Sequence, residues 1–156
     1  MKALVIYDSV FGNTEKIALA IGDGAGAQVV KVGELQGGEL EGVDLLLVGS
    51  PTRAFRPTEG IQKFLKKLPK GSLAGVAVGG FDTRADVATV NNRMLTSMVK
   101  VFGYAAEPID KALVKCGGRQ AVPPAGFFIE ESEGPLREGE LERATEWGRQ
   151  AAGKAG

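Results

Sequence analysis

The chain predicts an α/β protein, a parallel sheet covered on both faces by helices. Strand-like runs recur along it with helical runs between them, the pattern that builds such a sheet. The run Asp44–Gly49 contains Leu-Leu-Leu-Val and is almost continuously apolar, as a central strand buried on both faces must be. The first run, Lys2–Tyr7, leads through a polar glycine turn, Ser9-Val10-Phe11-Gly12-Asn13-Thr14, straight into a helix-like stretch. That order builds an anion cradle, because N–H groups at a helix start have no intrahelical acceptor and converge on an anion placed there.

Taken in order, strand one is Lys2–Tyr7, and a helix follows from about Asn13 to Ile21 with Ile17, Ala18 and Ile21 on one face. The glycine-rich stretch Gly22–Gly26 ends it and leads into strand two, Gln28–Val32. Strand three is Asp44–Gly49. Ile61, Phe64, Leu65 and Leu68 recur at helical spacing, and Pro69-Lys70-Gly71 closes that helix. Strand four is expected over Leu73–Val78. Val87, Val90, Met94, Met98 and Val101 then mark a long amphipathic helix stopped by Gly103. Tyr104–Pro108 reads as a short fifth strand, and Phe127–Glu130 as an extended piece that continues it or pairs beside it. Asp110–Ala125 has the weakest pattern and reads as an irregular insertion. The last helix is expected over Glu138–Ala152, with Leu141, Ala144, Trp147, Gly148 and Ala151 facing inward and Trp147 acting as a packing anchor.

Composition narrows the function classes. The 156 residues make one domain, with 44% hydrophobic and 24% charged residues placing it among soluble globular proteins. No run approaches the ~20 apolar residues of a membrane helix. The first strand starts at once, leaving no room for a signal peptide, so a cytoplasmic protein is expected. Nineteen basic and nineteen acidic residues cancel, and neither half is basic enough for a nucleic-acid module. Seven glutamates stand against two arginines between Glu130 and Glu146, which reads as a solvated helix face. Cys116 is alone, which excludes an intrachain disulfide and a thiolate metal cluster. Without histidine, hydrolase triads and histidine-metal enzymes are poor candidates.

The chemistry-bearing residues gather at the ends of strands one, three and four: Ser9–Thr14, Ser50–Pro57 and Gly79–Arg84. In an open parallel sheet those carboxyl ends form the ligand crevice. Glycines, hydroxyls, aromatics and arginines together on three such loops point to a phosphorylated, planar ligand.

At these residues the chain resembles the flavodoxins over nearly its full length. Val5 to Ile17, VIYDSVFGNTEKI, is similar to the flavodoxin loop that holds the ribityl phosphate of flavin mononucleotide (FMN), a Ser/Thr run ending in Gly-Asn-Thr. The resemblance implies that Ser9, Asn13 and Thr14 bind phosphate through their side chains. The backbone from Val10 through Phe11 and Gly12 to Thr14 would supply N–H donors. Val10 and Phe11 depart from the pattern, standing where hydroxyls are usual. Gly49–Phe55 resembles the loop lying against the isoalloxazine ring, which implies contacts from Pro51, Thr52, Arg53 and Ala54, with Phe55 as inner stacking residue. Gly79–Arg84 takes the place of the other flavin-flanking loop and brings Gly80, Phe81, Asp82 and Arg84 to the ring. No tyrosine occurs between Tyr7 and Tyr104, so the stacking tyrosine of short-chain flavodoxins is missing. Either Phe81 covers the ring or its outer face is open. The tail, Gly134-Pro135-Leu136 and Glu138-Gly139-Glu140-Leu141, resembles the approach to the last helix of such domains.

The resemblance therefore implies a single three-layer flavodoxin-like domain with a five-stranded parallel sheet of order 2-1-3-4-5. It also implies FMN as cofactor and electron transfer as function, with a redox partner protein docking at the flavin edge. Arg53, Arg56 and Arg84 stand where electron-carrying flavodoxins are acidic, and cations there favour the anionic reduced ring and raise its potential. Two alternatives stay open. One is an FMN-dependent reductase passing hydride from a nicotinamide to a small acceptor such as a quinone, using the open ring face. The other is a flavin-free interaction module. A signalling receiver domain is a poor match, since Ser50-Pro51-Thr52 stands where its phosphorylatable aspartate would be. Neither nucleic acid nor membrane is an expected partner.

Overall fold

A computed structural model describes residues 1–85, 103–131 and 133–155. The elements are β1 (Ala3–Tyr7), α1 (Asn13–Ala25), β2 (Gln28–Lys31), β3 (Leu45–Pro51), α2 (Glu59–Lys67), β4 (Ala77–Ala85), α3 (Ala106–Lys115), β5 (Arg119–Gln120), β6 (Ala125–Ile129) and α4 (Glu140–Ala155). The sheet runs β2-β1-β3-β4-β5, with β6 also paired to β4, and every pairing is parallel. The expected order 2-1-3-4-5 is thus observed, with the fifth position shared by two short strands. β5 pairs with Ala77 and Val78, and β6 pairs with Phe81 to Ala85.

The period of two along each strand sorts side chains into two cores. Val5, Tyr7, Leu45, Leu47 and Phe81 face α1 and α4, where they meet Ile17, Ile21, Ala144 and Trp147. Leu4, Ile6, Leu46, Val48 and Val78 face the other way, onto Ile61 of α2 and Ile109 and Leu113 of α3. The two-sided burial read from Leu-Leu-Leu-Val is borne out: Leu45 to Val48 are all fully buried. Trp147 anchors its layer, its ring edge-on to Phe81 at 5.8 Å and to Phe127 at 6.4 Å.

Several boundaries differ from expectation, each for a packing reason. α1 continues through Gly22, Asp23 and Gly24 to Ala25, because these glycines serve close approach rather than termination. A Cβ on Gly24 would overlap the Thr145 carbonyl of α4, and one on Gly148 would overlap the Ile21 carbonyl oxygen. β4 starts at Ala77 and runs to Ala85 instead of ending at Val78. Its Gly79 and Gly80 are paving for neighbours, since a Cβ on Gly80 would lie 2.7 Å from the Ala106 carbonyl oxygen. Tyr104–Pro108 is not a strand: α3 begins at Ala106, and Pro108 sits in its first turn, where a missing N–H breaks no helical bond. The stretch 110–125 holds the rest of α3 and β5 rather than an irregular insertion. Leu141 is 43% exposed instead of facing the core. The helix read from Val87, Val90, Met94, Met98 and Val101 lies outside the described residues.

Where β5 and β6 part, Asp110 of α3 meets the sheet. Gln120 Nε2 donates to its Oδ2 at 2.8 Å, Oδ1 has no partner among the described residues, and burial pushes the carboxyl above its ordinary range. Among the described residues no helix is long and apolar enough to cross a membrane.

The α1–α4 contact sets a test. Gly148→Ala drives a methyl against helix backbone that has no side-chain rotamer to yield. A loss of about 2–3 kcal/mol, or about 5–10 °C in Tm, is expected from urea and thermal unfolding. An unchanged midpoint would show that the two helices separate freely.

Candidate functional site

A cleft of about 180 Å³ opens where the carboxyl ends of β1, β3 and β4 meet. Val10, Phe11, Asn13 and Thr14 form one wall, Pro51, Thr52 and Arg53 a second, and Thr83, Arg84, Ala85 and Ile129 a third.

The β1–α1 turn is built as a donor array. Gly12 adopts φ 92°, ψ −8°, a left-handed conformation that L side chains resist, and as N-cap it offers no side-chain acceptor. The amides of Val10, Phe11, Asn13 and Thr14 find no acceptor among the described residues. Ser9 Oγ accepts from the Gly12 amide at 3.1 Å, which folds the turn back on itself. Thr14 is buried, and its hydroxyl lies 2.7 Å from that of Thr83 across the cleft. Under the first turn, Tyr7 donates to Glu15 Oε2 at 2.7 Å; burial, reinforced by Glu15, pushes its phenol up to about 12. Asp8 joins the loops at their base, accepting from the Ser9 amide at 2.9 Å and the Thr58 hydroxyl at 2.6 Å. Thr58 in turn caps α2 and bonds Ser50 through its amide.

The tail closes on this turn. After β6 the chain doubles back, with Glu130 N–H donating to Pro135 O and Arg137 N–H to Phe128 O. Asn13 Nδ2 donates to Glu133 O at 2.7 Å, and Gly134, at φ 112°, lies so close that a Cβ would sit 2.7 Å from that nitrogen. One Asn13 donor is therefore held by the tail.

The third wall differs from the sequence reading. Gly80, Phe81 and Asp82 are interior residues of β4, not a loop. Phe81 is fully buried and stands opposite Gly49 in register, its ring filling the space where a Gly49 Cβ would be. It is a core residue and covers nothing at the cleft. Asp82 is also fully buried; Arg84 grips it with two 2.7 Å bonds, and the Ala106 amide donates to it at 2.9 Å. The Arg84 guanidinium lies 3.7 Å from the Tyr104 ring centre, pinned over Gly126. Burial pushes the Asp82 carboxyl above its ordinary value, against the opposing pull of Arg84 and the Ala106 amide. Arg84 thus reaches the cleft as half of an ion pair, not as a free cation.

The second loop is a tight hairpin. Arg53 and Arg56 exchange both backbone hydrogen bonds, at 2.8 and 3.0 Å, around Ala54 (φ 48°) and Phe55 (φ 68°). Both residues are left-handed, as a type I′ turn demands, and without glycine or asparagine each costs about 1–2 kcal/mol. Arg53 faces the cleft with its guanidinium 5.6 Å from the Phe11 ring. Ala54 and Phe55 line a separate groove beside α2 and α3, so the structure does not bring Phe55 to the cleft.

Of the residues read from sequence, Val10, Phe11, Asn13, Thr14, Pro51, Thr52, Arg53 and Arg84 meet around the cleft, with Ser9 and Gly12 shaping the turn. Ala85 and Ile129 lie outside the site spans read from sequence, and Thr83 lies inside Gly79–Arg84 but was given no role. Thr83 carried a usable signal: with β4 extended, strand alternation puts it on the same face as Phe81. Among the described residues, no group of three or more acidic or cysteine side chains is placed to hold a metal.

The Asp82–Arg84 pair gives a pH test. A carboxyl whose pKa rises on folding makes no difference to stability below its unfolded value, about 4, and lowers stability as pH climbs through the folded value. Removing the guanidinium raises that folded value further. Arg84→Met should therefore cost about 3–5 kcal/mol near neutral pH and clearly less near pH 4.5, by urea unfolding against the parent. Equal losses at both would assign the effect to stacking on Tyr104 instead.

Neither a family model nor a curated protein sequence matches the chain. Solved structures do. A flavodoxin from the domain Archaea superposes with a TM-score of 0.76 at 22% identity, covering 99% of both chains. A WrbA-like flavodoxin from Agrobacterium tumefaciens gives 0.75 at 21%, covering 99% of this chain and 96% of that one. The Flv1 flavodiiron core from Synechocystis gives 0.71 at 17%, with this chain matching 36% of its length. The chain has the flavodoxin-like fold.

Proposed function

We propose that the chain binds FMN, with the phosphate on the β1–α1 turn, and serves as an electron-transfer flavoprotein. The observation that carries this reading is the donor array. An uncapped helix start, a left-handed glycine and a run of unengaged amides suit a phosphate dianion. Bound there, FMN would supply one-electron chemistry that no side chain of this protein provides. The fit is with the phosphate end: 180 Å³ is below the ~300–1,000 Å³ that encloses a whole small-molecule ligand, so the ring would rest on the rim.

The protein's part is to bind, orient and tune. Thr14, oriented by Thr83, and the amides of Val10, Phe11, Asn13 and Thr14 hold the phosphate without a paired cation. Lys16 is exposed on the first turn, and Arg84 is engaged by Asp82. Since Arg84 is neutralised, any raised potential of the reduced ring rests on Arg53 and Arg56.

Fluorescence titration of the apoprotein with FMN tests the reading. Thr14→Ala should weaken FMN about tenfold to hundredfold, the loss of one charge-assisted bond, while Lys16→Gln should change little. Absence of FMN binding by the parent would return the chain to the flavin-free reading. A Lys16 variant that lost FMN beside an unimpaired Thr14 variant would reverse these roles.

Gly134→Ala probes the tail. Its Cβ pushes on the Asn13 amide, so FMN should bind about tenfold less tightly while riboflavin, which has no phosphate, is unaffected. Equal losses for both ligands would show that the tail acts on the whole site.

A further inference from the structure

Net neutrality hides a strong segregation. Residues 1–50 carry three basic and seven acidic side chains, whereas 53–70 carry six basic and one acidic. The six are Arg53, Arg56, Lys63, Lys66, Lys67 and Lys70, and all are exposed. Lys63, Lys66, Lys67 and Lys70 recur at helical spacing along the outer side of α2 and just beyond it. None of the six forms an ion pair with a described residue. By contrast, Arg84, Arg137, Arg143 and Arg149 each pair with an acidic side chain. Among the described residues, a chain with as many acids as bases leaves these cations unmatched.

They surround an apolar centre. Phe55, Pro57, Leu65, Pro108 and Ala112 line a groove of about 700 Å³, with Arg56 and Lys66 at its edge. A second hollow, of about 380 Å³, shares Ala54, Arg56, Pro57 and Gln62 with that groove. It shares Val10 and Arg53 with the cleft. The surface is therefore continuous from the cleft along the hairpin to α2. An apolar middle and a charged rim are the anatomy of a protein–protein interface.

We propose that the hairpin 53–56 and the outer side of α2 form a docking surface for a protein of acidic surface, seated beside the cofactor cleft. Charge complementarity names that partner, and the apolar groove favours a folded protein over nucleic acid, whose affinity comes from phosphate contacts. A second copy of this chain, offering the acidic excess of residues 1–50, is the competing occupant that the test separates. The location deepens the electron-transfer reading and rests on it for function; the docking does not.

The test uses the full chain with two probe proteins, an acidic plant-type ferredoxin and basic cytochrome c, by amide chemical-shift mapping and calorimetry. Ferredoxin should shift amides of residues 53–70. Its affinity should fall about tenfold from about 20 mM to about 200 mM salt, as screening shortens the field. The variant Lys63→Gln, Lys66→Gln, Lys67→Gln should weaken it about tenfold with FMN affinity unchanged. Stronger binding of cytochrome c, shifts elsewhere, or no salt dependence would overturn the proposal. So would equal or tighter binding of a mixed-sequence DNA duplex, or self-association in sedimentation. Docking by a protein that takes up no FMN would overturn the flavin reading and leave this surface standing.

Discussion

The buried Asp82 carboxylate organises the functional edge of the sheet. Arg84 closes on it from the same strand, and the Ala106 amide from the start of α3. Thr52 Oγ1 accepts from the neighbouring Ala105 amide, which brings β3 into the same node. A charge so deep is tolerated only when its partners are fixed, so fixing them also fixes what they carry. The end of β4 stays in the sheet and α3 starts at Ala106. Arg84 lies against Tyr104 and walls the cleft without adding a free charge. A hydrophobic pair of similar volume would hold the strands but would not dictate where α3 begins.

The layer plan was legible because it rests on local chemistry. The continuously apolar runs of β1 and β3 and the Gly12 turn each act within a few residues, and the sequence shows them directly. The misread parts depend on distant surfaces. Gly22, Gly24, Gly79 and Gly80 look like punctuation in one dimension; in three they are places where another backbone comes close. Phe81 looked like a loop aromatic because two glycines precede it. Its burial follows from Gly49, thirty-two positions upstream on the adjacent strand. Pro108 marks a helix start as readily as a strand edge, and only the Asp82 bond to Ala106 decides which.

The cleft was half legible for the same reason. The residues of the β1–α1 turn are consecutive, so their motif carries them. Thr83 and Ile129 reach the cleft only through the length of β4 and the pairing of β6 beside it. Phe55 was assigned by position in a loop, but the left-handed turn at Ala54 and Phe55 turns it toward α2 and α3 instead.

The bond from Asn13 to Glu133 spans 120 residues. Gly24 is similarly packed against Thr145. The β1–α1 turn is made well before the residues that support it. On a ribosome, where synthesis is vectorial, the turn must wait unsupported while most of the sheet is translated. Contacts of such high sequence separation form late and slow the search for the native topology. Binding competence would then arrive only after residues 133 and 134 are made, so a chain terminated before them would lack a finished anion cradle.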